Sequence, residues 1–447
     1  MNLSTALQLA PKDVVALTGG GGKTTLMFRL AAELAAASRQ VVTTMTTRIF
    51  VSQMAQAPYT LMLHGERALL AQLPEALAEY GHVLIAGSTI VEQDKVQGVP
   101  PELLDRVAAQ LAVDAVIVEA DGSRRLPFKA PATHEPVAPS STTVLMPVVG
   151  LDVLGQPLAS GRVHRPEIVA ALTGAAPGDP VTPEIVAAVL AHPQGGAKGL
   201  PPGARLVPFL NKAEDETTVV QARRIARLLL AYPRVDRVVI GAAQAADPVR
   251  EVWSRVAAVI LAAGEGKRFG GLKQVALWQG VPLVAHVADQ ALACPDIARV
   301  LVTVGAGAEQ VAAALGSRRV DTLPVPDWAD GQSRSVGAGL GATRDQASAV
   351  VFLLADQPGV SPKLLATLIQ RHRETLAPVV APRYHGQRGN PVLFDRATFG
   401  EFGWLAGDIG ARPIIQAHAD EMAWVDWPTP EIIQDIDRPG DLGPKAG

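Results

Sequence analysis

Val256-Ala-Ala-Val-Ile-Leu-Ala-Ala-Gly-Glu-Gly-Lys-Arg-Phe-Gly-Gly-Leu-Lys-Gln274 is the stretch that decides how the chain is read. Val256 to Leu261 is a short apolar run rich in β-branched residues, the pattern of a buried strand. It runs out into small residues and glycines. Gly264, Gly266, Gly270 and Gly271 carry no Cβ, so the backbone there is free to approach a ligand or take positive φ. Lys267, Arg268 and Lys273 punctuate the same loop. A bare backbone with inward N–H groups and several cations suits a triphosphate.

The whole string, Leu261-Ala262-Ala263-Gly264-x-Gly266-x-Arg268-Phe-Gly270-Gly-x-Lys273, resembles the nucleotide-binding signature of the MobA-like nucleotidyltransferases, and among them the molybdenum cofactor cytidylyltransferases (MocA-like). The resemblance implies a Rossmann-like fold with Leu261 through Gly270 on the nucleotide and Arg268 and Lys273 on its phosphates.

Composition sets the frame. A chain of 447 residues is too long for one ordinary core. With 48% hydrophobic and 19% charged residues it reads as globular. Aromatics make up only 4% and the net charge is −3, without Lys/Arg blocks. Neither nucleic acid nor an anionic membrane is therefore expected as a partner. Cys294 is the single cysteine, which rules out an internal disulfide or a cysteine-based metal site. The histidines lack zinc-ligand spacing. No signal-peptide pattern or membrane-length apolar run stands out, so a cytoplasmic location is expected.

In the first half, Asp13 to Thr18 reads as a strand, followed by Gly19-Gly-Gly-Gly22-Lys23-Thr24-Thr25 and a helix to about Ala37. Strand, glycine loop and helix make a P-loop: backbone N–H groups cradle phosphates, Lys23 reaches the terminal ones, and Thr24 holds Mg²⁺. The strict eight-residue form needs glycine where Leu17 stands; the shorter Gly-x-x-Gly-Lys-Thr fits. ATP or GTP is the expected ligand. Thr43, Thr44, Thr46 and Thr47 at the end of a second strand suit nucleotide or metal contact, or simply β-propensity and a helix cap. Asp121 or Glu119, at the tip of the strand Ala115 to Val118, would be the acid that serves magnesium. Arg124, Arg125, Lys129 and His134 lie in a proline-studded loop that reads as an anion clamp or as a solvated loop. Asn211-Lys212-Ala213-Glu214-Asp215 approximates the guanine-reading Asn-Lys-x-Asp, one residue out of register, so GTP over ATP is the expectation.

Strand–helix alternation from 13 to about 241 predicts a doubly wound, mostly parallel sheet. Thr-Gly-Gly-Gly-Gly-Lys-Thr-Thr-Leu, Val-Glu-Ala-Asp-Gly-Ser-Arg-Arg, Ala-Thr-His-Glu-Pro, Val-Val-Gly-Leu-Asp, Val-His-Arg-Pro-Glu and Leu-Asn-Lys-Ala together resemble the YqeC-like family, accessory proteins of selenium-dependent molybdenum hydroxylases. The chain is thus read as α/β with two doubly wound, mostly parallel domains: a P-loop NTPase-like domain at 1–250 and a Rossmann-like nucleotidyltransferase domain at 251–447. Gly241 to Arg255, between them, reads as a turn and a short helix.

Farther on, Pro282 to Ala293 is an amphipathic helix and Ala298 to Val304 a strand. Val350 to Leu354 is a buried strand ending in Ala355-Asp356-Gln357-Pro358. In the resembled family this position binds metal, and Gln434-Asp435-Ile436-Asp437 resembles its second acidic motif. The resemblance therefore implies Asp356 and Asp437 as Mg²⁺ ligands, Asp435 in reserve. It also sets the stretch Gly331 to Leu340 beside the nucleotide; Ser335 there is a contact to base or phosphate, or a helix N-cap. Gly389-Asn390-Pro391 and Arg412, with Arg383 and Arg388, are the expected surroundings of the acceptor's phosphate. The implied reaction joins CTP to molybdopterin cofactor with loss of pyrophosphate, and a molybdenum hydroxylase apoenzyme is the implied recipient. Guanylyl transfer, another small-molecule nucleotidyl transfer, P-loop hydrolysis and cofactor carriage are the alternatives.

Overall fold

The computed structural model describes residues 1–90 and 94–442. Two units emerge, Met1–Trp253 and the residues from Ser254 onward.

The first unit is built on β1 (Asp13–Gly19), which is buried along most of its length as a central strand must be. The glycine turn leads into α1 (Lys23–Ala36), whose Leu26, Met27, Leu30, Ala31 and Leu34 pack inward at helical spacing. Next come β2 (Val41–Met45), β3 (Tyr59–Met62), β4 (His82–Ala86), β5 (Ala115–Glu119), β6 (Val144–Gly150), β7 (Phe209–Asn211), α2 (Glu216–Leu230), β8 (Arg237–Gly241) and β9 (Val249–Ser254). The strand order is β9-β8-β7-β6-β1-β5-β2-β4-β3. β1 runs parallel to both neighbours, Val15 opposite Val144 on one side and Ile117 on the other. The glycine loop therefore emerges at the carboxyl edge, where the winding reverses and ligands bind in such sheets.

The segment before the seam is a correction. Val249–Ser254 is a strand along the edge of this sheet, where a short helix was expected. Val249, Val252 and Trp253 are β-formers and are buried. The Ala-rich stretch ahead of them, which suggested a helix, is a turn closed by Ala242 N–H donating to the Pro248 carbonyl (2.9 Å).

The second unit centres on β10 (Val256–Ala262). It continues through α3 (Leu283–Leu292), β11 (Ile297–Val304), β12 (Asp321–Pro324), α4 (Gln332–Thr343), β13 (Ala349–Leu354), α5 (Pro362–Thr375), β14 (Val379–Tyr384), β15 (Gln387–Arg388), β16 (Val392–Asp395) and β17 (Ala423–Asp426). The order is β12-β11-β10-β13-β16-β14-β15, with β17 also paired to β14. β10, β11, β12 and β13 are parallel; β16 runs antiparallel to both its neighbours. In the β10/β13 register Leu261 lies opposite Leu354. The glycine loop after β10 and the Ala355-Asp356 tip after β13 therefore leave neighbouring strands at the same edge of the sheet. Separate apolar layers cover its two faces, one led by α3 and α5 and the other by α4 with Phe352, Phe394 and Phe402.

Candidate functional sites

In the first unit the glycine loop is held in place by the protein's own polar groups. Gly22 has φ of 127°, and a Cβ there would stand 2.3 Å from the Asn211 side-chain nitrogen. That nitrogen donates to the Gly21 carbonyl (2.7 Å), while Asn211 Oδ1 accepts from the Lys212 and Ala243 N–H groups. Asn211 is thus a buried clamp on the loop. Lys212 pairs with Asp152 (2.7 Å), and Asp215 caps α2 by accepting from Thr218 N–H (2.8 Å). This removes Asp215 from base reading and leaves Glu214 lining the cleft.

Lys23 lies among acids. Its Nζ donates to the Gly19 carbonyl (2.6 Å) and sits 3.3 Å from Asp121 and 3.7 Å from Glu119. Burial works against its charge, but Asp121 and Glu119 outweigh burial and raise its pKa above the ordinary lysine range. Thr24 Oγ1 donates to Glu119 Oε2 at 2.7 Å. Of the two acids expected here, Glu119 is therefore the one beside the loop hydroxyl. Asp121 instead accepts from Gly19 N–H and pairs with Lys129 at 3.0 Å.

The expected anion clamp is corrected in two members. Lys129 is fully buried and spent on Asp121 and Glu135 (2.6 Å), and exposed His134 lies outside the cleft lining. Arg124 and Arg125 do line the cleft, with Arg165, from another segment, paired to Glu135 at 2.5 Å. Burial raises and its two cations lower the Glu135 pKa; the cations prevail, at about 2. The cleft measures about 1180 Å³ and takes in Thr24, Thr25, Thr47, Phe50 and Glu214. Thr43 and Thr44 point elsewhere: Thr43 bonds His82 (2.8 Å) and Thr44 the Ile85 carbonyl (2.9 Å).

In the second unit the Lys273 ammonium contacts Asp356 and lies 3.3 Å from Asp437. Arg268, largely in solvent, is 3.5 Å from Asp437. Burial lowers and the two aspartates raise the Lys273 pKa, with a net rise. Ile436 N–H donates to the Asp356 carbonyl (2.9 Å), which fastens the 435–437 segment to the tip of β13. Gly266 has φ of 69°, and a Cβ there would meet the Gly271 carbonyl at 2.2 Å; Gly264 faces open space. Two glutamines went unread in the sequence. Buried Gln274 donates to the Gly264 carbonyl (2.6 Å) and steadies the loop, and buried Gln357 donates to Asp435 (2.5 Å). Burial, chiefly, raises the Asp435 pKa. Short amide side chains adjoining a glycine loop and an acidic tip were the available signal.

Ser335 is inside α4 and buried, so it is no N-cap; Gly331 holds that place. Of the acceptor arginines, Arg383 is taken up by Asp426 (2.5 and 3.2 Å). Arg388 and Arg412 remain neighbours: burial first, then Arg412, lowers the Arg388 pKa. Among the described residues no three His, Cys, Asp or Glu converge on a metal position, and no helix is long and apolar enough to cross a membrane.

Both sites lie in or beside segments of the chain that match known families. Residues 15–167 match the YqeC protein family and residues 258–422 the MobA-like NTP transferase domain. The uncharacterized protein YqeC of Escherichia coli (strain K12) is 34% identical over 218 residues, covering 48% of this chain and 82% of that protein. The chain belongs to the YqeC family, and it carries a MobA-like nucleotidyltransferase domain behind the YqeC domain. Nicotine blue oxidoreductase of Paenarthrobacter nicotinovorans is 28% identical over 192 residues (41% of this chain, 92% of that protein). A probable molybdenum cofactor guanylyltransferase of Deinococcus radiodurans is 28% identical over 200 residues (42% and 93%).

Proposed function

We propose that the second unit transfers CMP from CTP to the phosphate of molybdopterin cofactor and releases pyrophosphate. The first unit, on this reading, binds ATP or GTP at Gly19–Thr25 in the maturation of a molybdenum hydroxylase. The observation that carries the transferase reading is the meeting of Lys273 with Asp356 and Asp437 beside the Gly264–Gly270 loop. Relatives named for an oxidoreductase and for a guanylyltransferase are equally similar in sequence, at 28% identity, so the site must decide.

Two carboxylates are a sparse metal site, but Mg²⁺ is commonly held by one or two carboxylates with substrate phosphates supplying the rest. Asp356 and Asp437 already gather about a cation, the Lys273 ammonium, and so fit such an ion. They would hold Mg²⁺, which neutralises phosphate charge when bound. The acceptor's monoester has a second pKa of about 6 and is ionised at neutral pH. It needs no strong base: its oxygen bonds to the α-phosphorus as the bond to the β-phosphate oxygen breaks. Lys273 and Arg268 would stabilise the negative charge on the departing pyrophosphate. In the first unit the pair Thr24–Glu119 offers a hard oxygen set suited to Mg²⁺.

Ala263 supports CTP over GTP, since its methyl narrows the base pocket; one methyl is worth about 1 kcal/mol, so other residues share the choice. Incubation with Mg²⁺, molybdenum cofactor and each NTP should release pyrophosphate with CTP foremost, and only when the pterin is present. GTP preference would make it a guanylyltransferase. Steady phosphate release without pterin would make it a hydrolase.

A further inference from the structure

The cleft of the first unit is larger than one nucleotide phosphate chain requires. Its volume of about 1180 Å³ exceeds the roughly 300–1,000 Å³ of ordinary small-ligand pockets. The glycine loop with Lys23 and Thr24 accounts for part of the lining. A further part is cationic and separate in sequence: Lys95, Arg124, Arg125 and Arg165.

Three features mark that cationic part. Arg124, Arg125 and Arg165 all have left-handed backbones, with φ of 52°, 63° and 60°, a conformation disfavoured for residues bearing a Cβ and concentrated at functional sites. Arg125 and Lys95 both lie over the ring of Phe50, at 4.6 and 5.2 Å from its centre. Two like charges drawn to one ring repel each other, and an anion in reach of both would relieve that repulsion. Finally, Arg165 is oriented by Glu135 while Lys129, Asp121 and Lys23 continue the buried ion chain to the glycine loop. His164, beside Arg165, has its pKa lowered by burial and then by Arg165, Lys129 and Arg124, as expected in a positive field.

We infer that the first unit holds a second anion, of the phosphate-ester class, on Arg124, Arg125 and Lys95, in the cleft that also takes the nucleotide expected at Gly19–Thr25. The nucleotide half of that statement rests on the reading given above; the anion half does not. A nucleotide and a phosphate-bearing molecule held together there would make this cleft a two-substrate site.

Equilibrium dialysis of ³²P-orthophosphate with the full chain tests it, run with and without Mg²⁺ and a non-hydrolysable ATP or GTP analogue. The comparison set is the wild type, R124A/R125A and K23A. The double variant should lose at least tenfold in the tighter phosphate binding and keep analogue affinity within about twofold. K23A should keep the phosphate and lose the analogue. Phosphate held equally by wild type and R124A/R125A overturns the proposal. So does parallel loss of phosphate and analogue in R124A/R125A, which would assign the arginines to the nucleotide's own phosphates. If no analogue binds the wild type, the nucleotide reading fails, and phosphate lost in R124A/R125A but kept in K23A still supports the second site. Circular dichroism of each variant guards against misfolding; if R124A/R125A is misfolded, R125Q is used in its place with the same required loss.

Discussion

Lys273 shows what a single residue contributes in the second unit. In this state its ammonium neutralises two aspartates. Lys273→Ala and Asp356→Ala should each cut pyrophosphate release by about 10² or more, as loss of a charge-stabilising group does, with an unchanged circular dichroism spectrum; near-normal turnover in either rejects the site. His82 is a residue of the opposite kind. Burial lowers its pKa to about 4, and Thr43 is its bonded partner. The unfolded chain then takes up more protons than the folded one between about pH 6.5 and 4, so the stabilisation is full above that window and lost as pH falls through it. The loss is on the order of 3 kcal/mol. Urea titrations at pH 7 and 4.5 should show it in the wild type and not in His82→Asn; an equal drop in both would refute the assignment. Residue types at these sites were legible in the sequence, but their bonding was not. Lys129 reads as part of an anion clamp or a solvated loop because nothing in the local pattern announces Asp121 and Glu135 as its partners.

Elements were read best where the local signal was strong. β1, β10 and β13 each have an apolar run closed by glycine or acid, and a strand buried on both sides has no other way to look. Register then set Leu261 opposite Leu354, a relation that no local pattern contains. β9 failed for the reverse reason: alanines upstream outvoted a short β-forming run whose burial is decided by β8. The Asn211 segment was legible as a motif but ambiguous in register until α2 claimed Asp215 as its cap. Asp215→Ala should therefore loosen α2 without altering any ATP-versus-GTP choice. The edge strand carries its own test. Trp253 is 2% exposed, and its indole N–H donates to Glu251 (2.7 Å). Trp253→Ala should cost about 3–5 kcal/mol by denaturant unfolding of the first unit; a loss under 1 kcal/mol would mean that β9 is dispensable.

On the scale of the chain, the residues named for each site come from one unit: the cleft lining runs from Gly21 to Gln244, and the Lys273 cluster draws on residues 268 to 437. Lys23→Ala should abolish nucleotide-analogue binding at the first site and leave CTP-dependent pyrophosphate release within about twofold, while Asp356→Ala does the reverse. A transferase rate that falls with Lys23→Ala would show that one site governs the other. The series Lys23, Asp121, Lys129, Glu135, Arg165, buried but for its half-buried last member, alternates in sign at every step. Such an arrangement restricts how the gene can drift. Neutralising one member alone leaves a neighbour without its partner, and because Lys129 also pairs with Asp121 and Glu135 with Arg165, even exchanging those two together removes a partner at each end, so divergence here must be compensated along the whole series.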